Sequence, residues 1–159
     1  AAQHYRDARI APIYEGTNGI QAADLVGRKL TGDGGAGMAT LIADVRAEAE
    51  DARLIALTHL VEKLTAHLLE VDVDDRLAAS YPYLTMVSVM TCGWLMERQA
   101  RIATALLAKG EGDPAFLKQK QVTAHYYLTH LVGEALGLAG SVTAGAEGLY
   151  DLSAEDLAA

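Results

Sequence analysis

The sequence is short of several residue types, and each shortage excludes something. Its one cysteine, Cys92, allows neither a disulfide framework nor a cysteine-rich zinc site within a single chain. Cys92 stands in the apolar run from Met86 to Met96 and is expected to be a small buried thiol. Basic residues are outnumbered, 13 Lys and Arg against 21 Asp and Glu, for a net charge of −8. The basic residues are also scattered, and a phosphate-backbone binder needs clustered positive charge, so no nucleic acid partner is expected. The longest apolar run, Tyr81 to Met96, is interrupted by Ser, Thr and Gly and falls short of the ~20 residues a bilayer demands. No basic segment followed by an apolar one opens the chain, so no secretory signal is visible. These shortages together favour a soluble, reducing, cytoplasmic setting. The opening residues, Ala1 to Asp7, include no initiator Met and read as the interior of a longer protein.

Ala and Leu are abundant, and hydrophobic residues make up 51% of the 159. That is enough for a domain with a real core. β-branched residues are sparse outside short stretches, so the expected fold is all-α. The stretch from Gln3 to Ile10 reads as the end of a helix broken by Pro12, followed by a tight loop over Tyr14 to Gly19. A short helix follows and ends at Arg28 and Lys29, whose charges suit a helix C-terminus. Residues 31–37 hold four glycines and read as a linker between two units, 1–30 and 38–159.

Beyond the linker, three helices are expected to form an antiparallel up-down bundle. The first spans about 38–69, from apolar residues at three- and four-residue steps. Its acids Glu48, Glu50 and Asp51 read as a solvated face. The second runs from about Ser80, as a cap, to Lys109; it is apolar nearly all round until Met96 and is expected to be the most buried of the three. Gly110 and Asp113 are expected to close that helix and cap the third, which spans about 114–139. Ser153 to Asp156 reads as a last capped turn. The glycines from Gly133 to Gly148 suggest a loose terminus or a docking surface.

One short segment carries chemistry: Ile13-Tyr14-Glu15-Gly16-Thr17, preceded by Arg6-Asp7-Ala8. It resembles the segment of short- and medium-chain acyl-CoA dehydrogenases that bears the catalytic glutamate. Tyr81-Pro82-Tyr83-Leu84, Gly93-Trp94, Ala124-His125-Tyr126-Tyr127 and Ala144 to Glu147 resemble a C-terminal helical extension of a subset of that family. The 3-methylmercaptopropionyl-CoA dehydrogenase type belongs to that subset. The resemblance implies that residues 1–30 end a dehydrogenase core and that residues 38–159 are the extension. It further implies Glu15 as the base that removes the α-proton of an acyl-CoA, with Tyr14 and Gly16 at the substrate and Thr17 at FAD. The partners implied are an electron-transfer flavoprotein and a second copy in a homo-oligomer, and the fragment alone is expected to be inactive. A base suits that role when a closed apolar pocket raises its pKa toward working pH.

Other readings stay open on the residues alone. Without the motif Glu15 is an ordinary loop acid, and Thr17 serves equally well as a helix cap. His59 with Glu62 and His67 with Glu70 share helix faces, but no recognised metal motif contains them, and no metal site is expected. The alternative function is a non-catalytic helical interaction or oligomerisation module.

Overall fold

The computed structural model describes residues 2–10 and 17–158. The expectations for Pro12, Tyr14, Glu15 and Gly16 lie outside the described residues. The described residues are helical throughout, joined by turns, with no strand among them. Helix α1 is Ala2–Ala8. Helix α2 begins as Thr17–Asp24 and continues through a π-helical turn, Leu25–Lys29, into Leu30–Gly32. Then come α3, Ala36–Glu48; α4, Ala52–Glu70; α5, Val73–Ala78; and α6, Ser80–Lys109. Helix α7 is Pro114–Tyr126 followed by a second π-helical turn, Tyr127–Leu131, and Val132–Leu136. Two short helices close the chain, α8 (Ala139–Thr143) and α9 (Ala154–Leu157).

The all-α bundle expected from the sequence is present, with α4, α6 and α7 at its centre. Contacts fix their directions. Thr65 of α4 meets Tyr83 near the start of α6, and Leu54 at the other end of α4 lies against Gly93, so α4 and α6 are antiparallel. Gln121 of α7 donates to Thr104 of α6 while Val132 packs at Gly93, so α6 and α7 are antiparallel too. The three helices cross at Gly93. A Cβ placed there would lie 3.2 Å from Leu54 Cδ1 and 3.3 Å from Val132 Cγ2, so the absent side chain is what lets the helices approach.

Four details depart from the sequence reading. The helix expected over 38–69 is two helices, broken at residues 49–51. Asp51 is an N-cap in extended backbone, its carboxylate accepting the Arg53 N–H. Ser80 does not cap α6; it is already helical, because α5 runs almost directly into α6 through Ala79. Cys92 is exposed. The inward face of α6 is set by Tyr83, Met86, Met90, Gly93 and Glu97, at three- and four-residue steps that leave Cys92 pointing outward. Apolar residues all round α6 therefore did not make it the most buried helix. That is α4, which buries seven of its 19 residues, against seven of 30 in α6.

The turns were read correctly where their chemistry is local. Gly110 ends α6 in the left-handed conformation, and Asp113 caps α7 by accepting the Ala115 N–H. Ser153 and Asp156 form a reciprocal capping box. The glycine-rich stretch around residue 34 is a tight turn, with Gly34 and Gly35 at positive φ and the Gly35 N–H bonded to Leu30 O. Val26 and Leu30, before that turn, join one hydrophobic core with Ile42, Leu57, Met86 and Val132 after it. The glycines near the C-terminus are anchored on one side, because Asp75 accepts the Ala146 N–H at 2.7 Å and Val142 is buried.

The π-helical turns have a physical cause in the apolar pattern. On α2 the buried residues are Ala22, Val26 and Leu30, four apart twice over, and on α7 Ala124, Leu128 and Val132 repeat that step. Steps of four drift off the face of a 3.6-residue helix, and one wider turn brings each set back onto the core.

Candidate functional site

The segment read as the base loop is bracketed by α1 and α2. Helix α2 is fixed to the bundle by Ala22, Val26 and Leu30, and Leu77 of α5 lies 3.9 Å from where a Cβ on Gly27 would be. Asp24 holds Arg28 in a two-point ion pair, at 2.6 and 2.8 Å, and that pairing lowers the Asp24 carboxyl from its ordinary range. Thr17 is the first residue of α2 and is half-buried. Of the four residues assigned to the site from sequence, it is the one the structure describes. Helix α1 buries none of its residues. Tyr5 and Ile10 before the loop and Ile20 after it are exposed, by 70%, 54% and 69%.

A second constellation was not anticipated from sequence. Where α3 gives way to α4, three carboxylates and three guanidinium groups clasp the corner onto α6. Glu97, 7% exposed, accepts the backbone N–H of Asp51 at 2.6 Å and that of Glu50 at 3.2 Å. Glu48 accepts from Trp94 Nε1 and Arg98, each at 3.0 Å, and from Arg101 at 3.3 Å. Arg101 also donates to the Glu48 carbonyl at 2.6 Å, and the Arg98 guanidinium lies over the Trp94 ring. Arg53 grips Asp51 through two nitrogens and reaches Thr129 on α7 at 2.8 Å. Its grip is the main reason the Asp51 carboxyl is held below its ordinary value.

Each carboxylate of this clasp is occupied by donors, so its chemistry is positional: it sets the angle between α3 and α4. The acids Glu48 and Asp51 are therefore structural partners, not a solvated face. A signal for Glu97 was present in the sequence, as the first acid after the long apolar run, but its partners are 46 and 47 residues away.

His59 Nδ1 lies 3.9 Å from Glu62, whose carboxylate is bound by Arg46 and lowered chiefly by it. Among the described residues no three His, Cys, Asp or Glu side chains gather where a metal could sit. No helix among them is long and apolar enough to cross a membrane.

Residues 33–153 match the family described as acetyl-CoA dehydrogenase C-terminal like. The chain belongs to that family. It is 37% identical over 153 residues to the 3-methylmercaptopropionyl-CoA dehydrogenase of Ruegeria pomeroyi, covering 84% of this chain and 25% of that protein. It is 32% identical to a broad-specificity linear acyl-CoA dehydrogenase of Mycobacterium tuberculosis, covering 79% of this chain and 24% of the relative. A butyryl-CoA dehydrogenase of Syntrophomonas wolfei is also 32% identical, over 86% of this chain and 25% of its own length. The chain thus spans about a quarter of the length of the curated relatives it matches. The resemblance read from the sequence holds at the level of the family. The bundle, the clasp and helices α3 to α8 lie within the matched residues, and α2 precedes them.

Proposed function

We propose that this chain is the C-terminal part of an FAD-dependent acyl-CoA dehydrogenase, with Glu15 as the base that takes the α-proton of the acyl-CoA. The observation that carries the reading is the identity over most of this chain with three acyl-CoA dehydrogenases, joined to the Ile13-Tyr14-Glu15-Gly16-Thr17 motif. The exposed Tyr5, Ile10 and Ile20 support it, since apolar side chains flanking a base loop are what a closed, water-poor pocket needs on its walls.

In this reading the Glu15 carboxylate accepts the proton while hydride departs from the β carbon, giving a trans-2-enoyl-CoA. Its own backbone N–H polarises the thioester carbonyl, and Tyr14 and Gly16 line the substrate. Thr17 is compatible with an FAD contact: it is half-buried at the start of α2, and its hydroxyl can donate to a flavin oxygen or nitrogen. FAD, when bound, supplies the hydride acceptor. Most of its site belongs to the part of the relatives outside this chain, so the 159-residue piece is inactive alone. The parent passes its electrons to an electron-transfer flavoprotein and works as a homo-oligomer in the cytoplasm.

The test is Glu15→Gln in the full-length parent. The expected result is retained yellow flavin with turnover lowered at least ~10²-fold. Near-normal turnover would refute the assignment and favour a helical interaction module without catalysis.

A further inference from the structure

Helix α2 precedes the residues matched to the family, 33–153, yet it is built into their core. Ala22 and Val26 are fully buried and Leu30 nearly so, and Val26 and Leu30 share one hydrophobic core with Ile42, Val45, Leu57 and Met86. The first turns of α2 pack on α6, and its π-helical turn packs on α5. That turn keeps Ala22, Val26 and Leu30 on one face, so the three act as a single anchor. The joint that follows is fixed as well. Asp33 accepts the N–H groups of Gly35 and Gly37, at 2.9 and 2.8 Å. Gly35 lies so close to α4 that a Cβ there would stand 3.0 Å from Leu69 Cδ1. Helix α2 is thus continuous with the bundle, through a turn that packs on α4.

The other flank of the base segment differs. Helix α1 buries none of its residues, so of the two helices beside that segment α2 is the one the bundle holds. Thr17, two residues after Glu15 in sequence, opens α2, and Ala22 is the first buried residue after it. Five residues at about 1.5 Å each put Ala22 about 8 Å along the axis from the start of α2. A short helix moves as a unit, so a displacement at Ala22 reaches the residues just before Thr17. Proton abstraction is sensitive to such a shift: about 1 Å of misplacement, caused far from the chemistry, can cost about 10²-fold in rate.

We propose that the helical bundle positions the base: Ala22 and Val26 are positioning residues that set where α2 starts, and so where Glu15 stands against the α carbon of the acyl-CoA. Neither residue belongs to the Ile13-Tyr14-Glu15-Gly16-Thr17 motif. The inference rests on Glu15 as the base and adds to that reading a part for the bundle in the rate. Ala22 is fully enclosed, so a longer side chain there must push the start of α2 away from α6. Truncating Val26 instead leaves a void under the same helix and loosens its seat.

The experiment uses the full-length parent with bound flavin and a saturated straight-chain acyl-CoA that the wild type oxidises. Flavin bleaching in a single anaerobic turnover is followed by stopped flow, per bound flavin, as the substrate concentration is raised. Ala22→Leu should keep its flavin and its half-saturating concentration, and lose about tenfold or more in the limiting rate. Val26→Ala should lose about threefold, and it decides the matter in place of Ala22→Leu where that variant fails to fold or to hold flavin. Ala22→Ser should stay close to wild type. Gly93→Val strains the bundle at Leu54, Leu128 and Val132 and not at α2, so it should lower the unfolding temperature and leave the rate per flavin unchanged. A wild-type limiting rate in Ala22→Leu overturns the proposal, as does an equal loss in Gly93→Val. Glu15→Gln separates this inference from the reading beneath it. A slow Glu15→Gln beside fast Ala22→Leu and Val26→Ala variants refutes the positioning alone, whereas a near-normal Glu15→Gln refutes both.

Discussion

Glu97 accepts the backbone N–H of Asp51 at 2.6 Å, so one residue of α6 holds the N-cap of a helix from 46 positions earlier in the chain. Asp51 caps the same helix from within, through the Arg53 N–H. The start of α4 is therefore held by two carboxylates, one local and one remote. Glu97→Ala leaves two partly buried N–H groups without their acceptor and is expected to cost about 1–2 kcal/mol. Glu97→Gln keeps one carbonyl acceptor and should cost less. Urea denaturation of the two variants measures both, and equal losses would show that the backbone cap is not what Glu97 contributes.

Gly93 sits where three helices cross. Gly93→Val drives methyl groups against Leu54 and Val132, which lie 3.2 and 3.3 Å from the Cβ position alone. A loss of about 2–3 kcal/mol is expected from overpacking. Gly93→Ala should fall much closer to wild type, since its gain in helix propensity offsets a slight displacement of two side-chain ends. Thermal unfolding of the pair checks the crossing.

Tyr83 is fully buried, and its hydroxyl lies 2.7 Å from Thr65 Oγ1. Burial pushes its phenol up to about 12, partly offset by the bond to Thr65. A folded-state value above the unfolded one, near 10, means that the folded chain holds this proton longer. The stability this provides is complete below pH 10 and is lost as pH rises toward 12. Tyr127, raised to about 12 chiefly by burial and further by Cys92, adds to the same slope. Tyr83→Phe should remove Tyr83's share of the slope and cost about 1 kcal/mol at neutral pH. Denaturant titrations from pH 8 to 12 test the sign, and an unchanged slope would count against it.

Asp75 holds the C-terminal segment through Ala146, and Gly145 beside it has a φ of +73° with no room for a Cβ, which would stand 2.9 Å from Asp75 Oδ1. Asp75→Ala is expected to release residues after α8 without unfolding the bundle. Limited proteolysis should then cut near residues 144–150 much faster than in the wild type.

Legibility in the sequence followed the distance over which each element is decided. Gly110, Asp113 and the box at Ser153 act on neighbours within a few residues, and their roles were plain. The break before Ala52 was not, although Asp51 is a good cap residue, because Glu97 that completes it arrives from another helix. The π-helical turns escaped for a related reason. Four-residue steps on α2 and α7 look like ordinary helix periodicity until the core shows which face must be kept. At the candidate site, Glu15 was legible only through a motif, since one acid in a loop has no pattern of its own. The clasp around Glu48 and Glu97 had no motif at all, because long-range pairing of common residue types leaves no local signature.

Because α4 starts only after its cap Asp51, α6 belongs to two cooperative units. Its early turns are locked to α4 through Tyr83, Met86 and Met90, while its last turns have mainly α7 for support. Such an element opens in stages: the distal amides exchange through fluctuations of that end, and those near Met90 exchange only when the whole core comes apart. A single unbroken helix thus joins a rigid body to a segment whose order depends on what it touches.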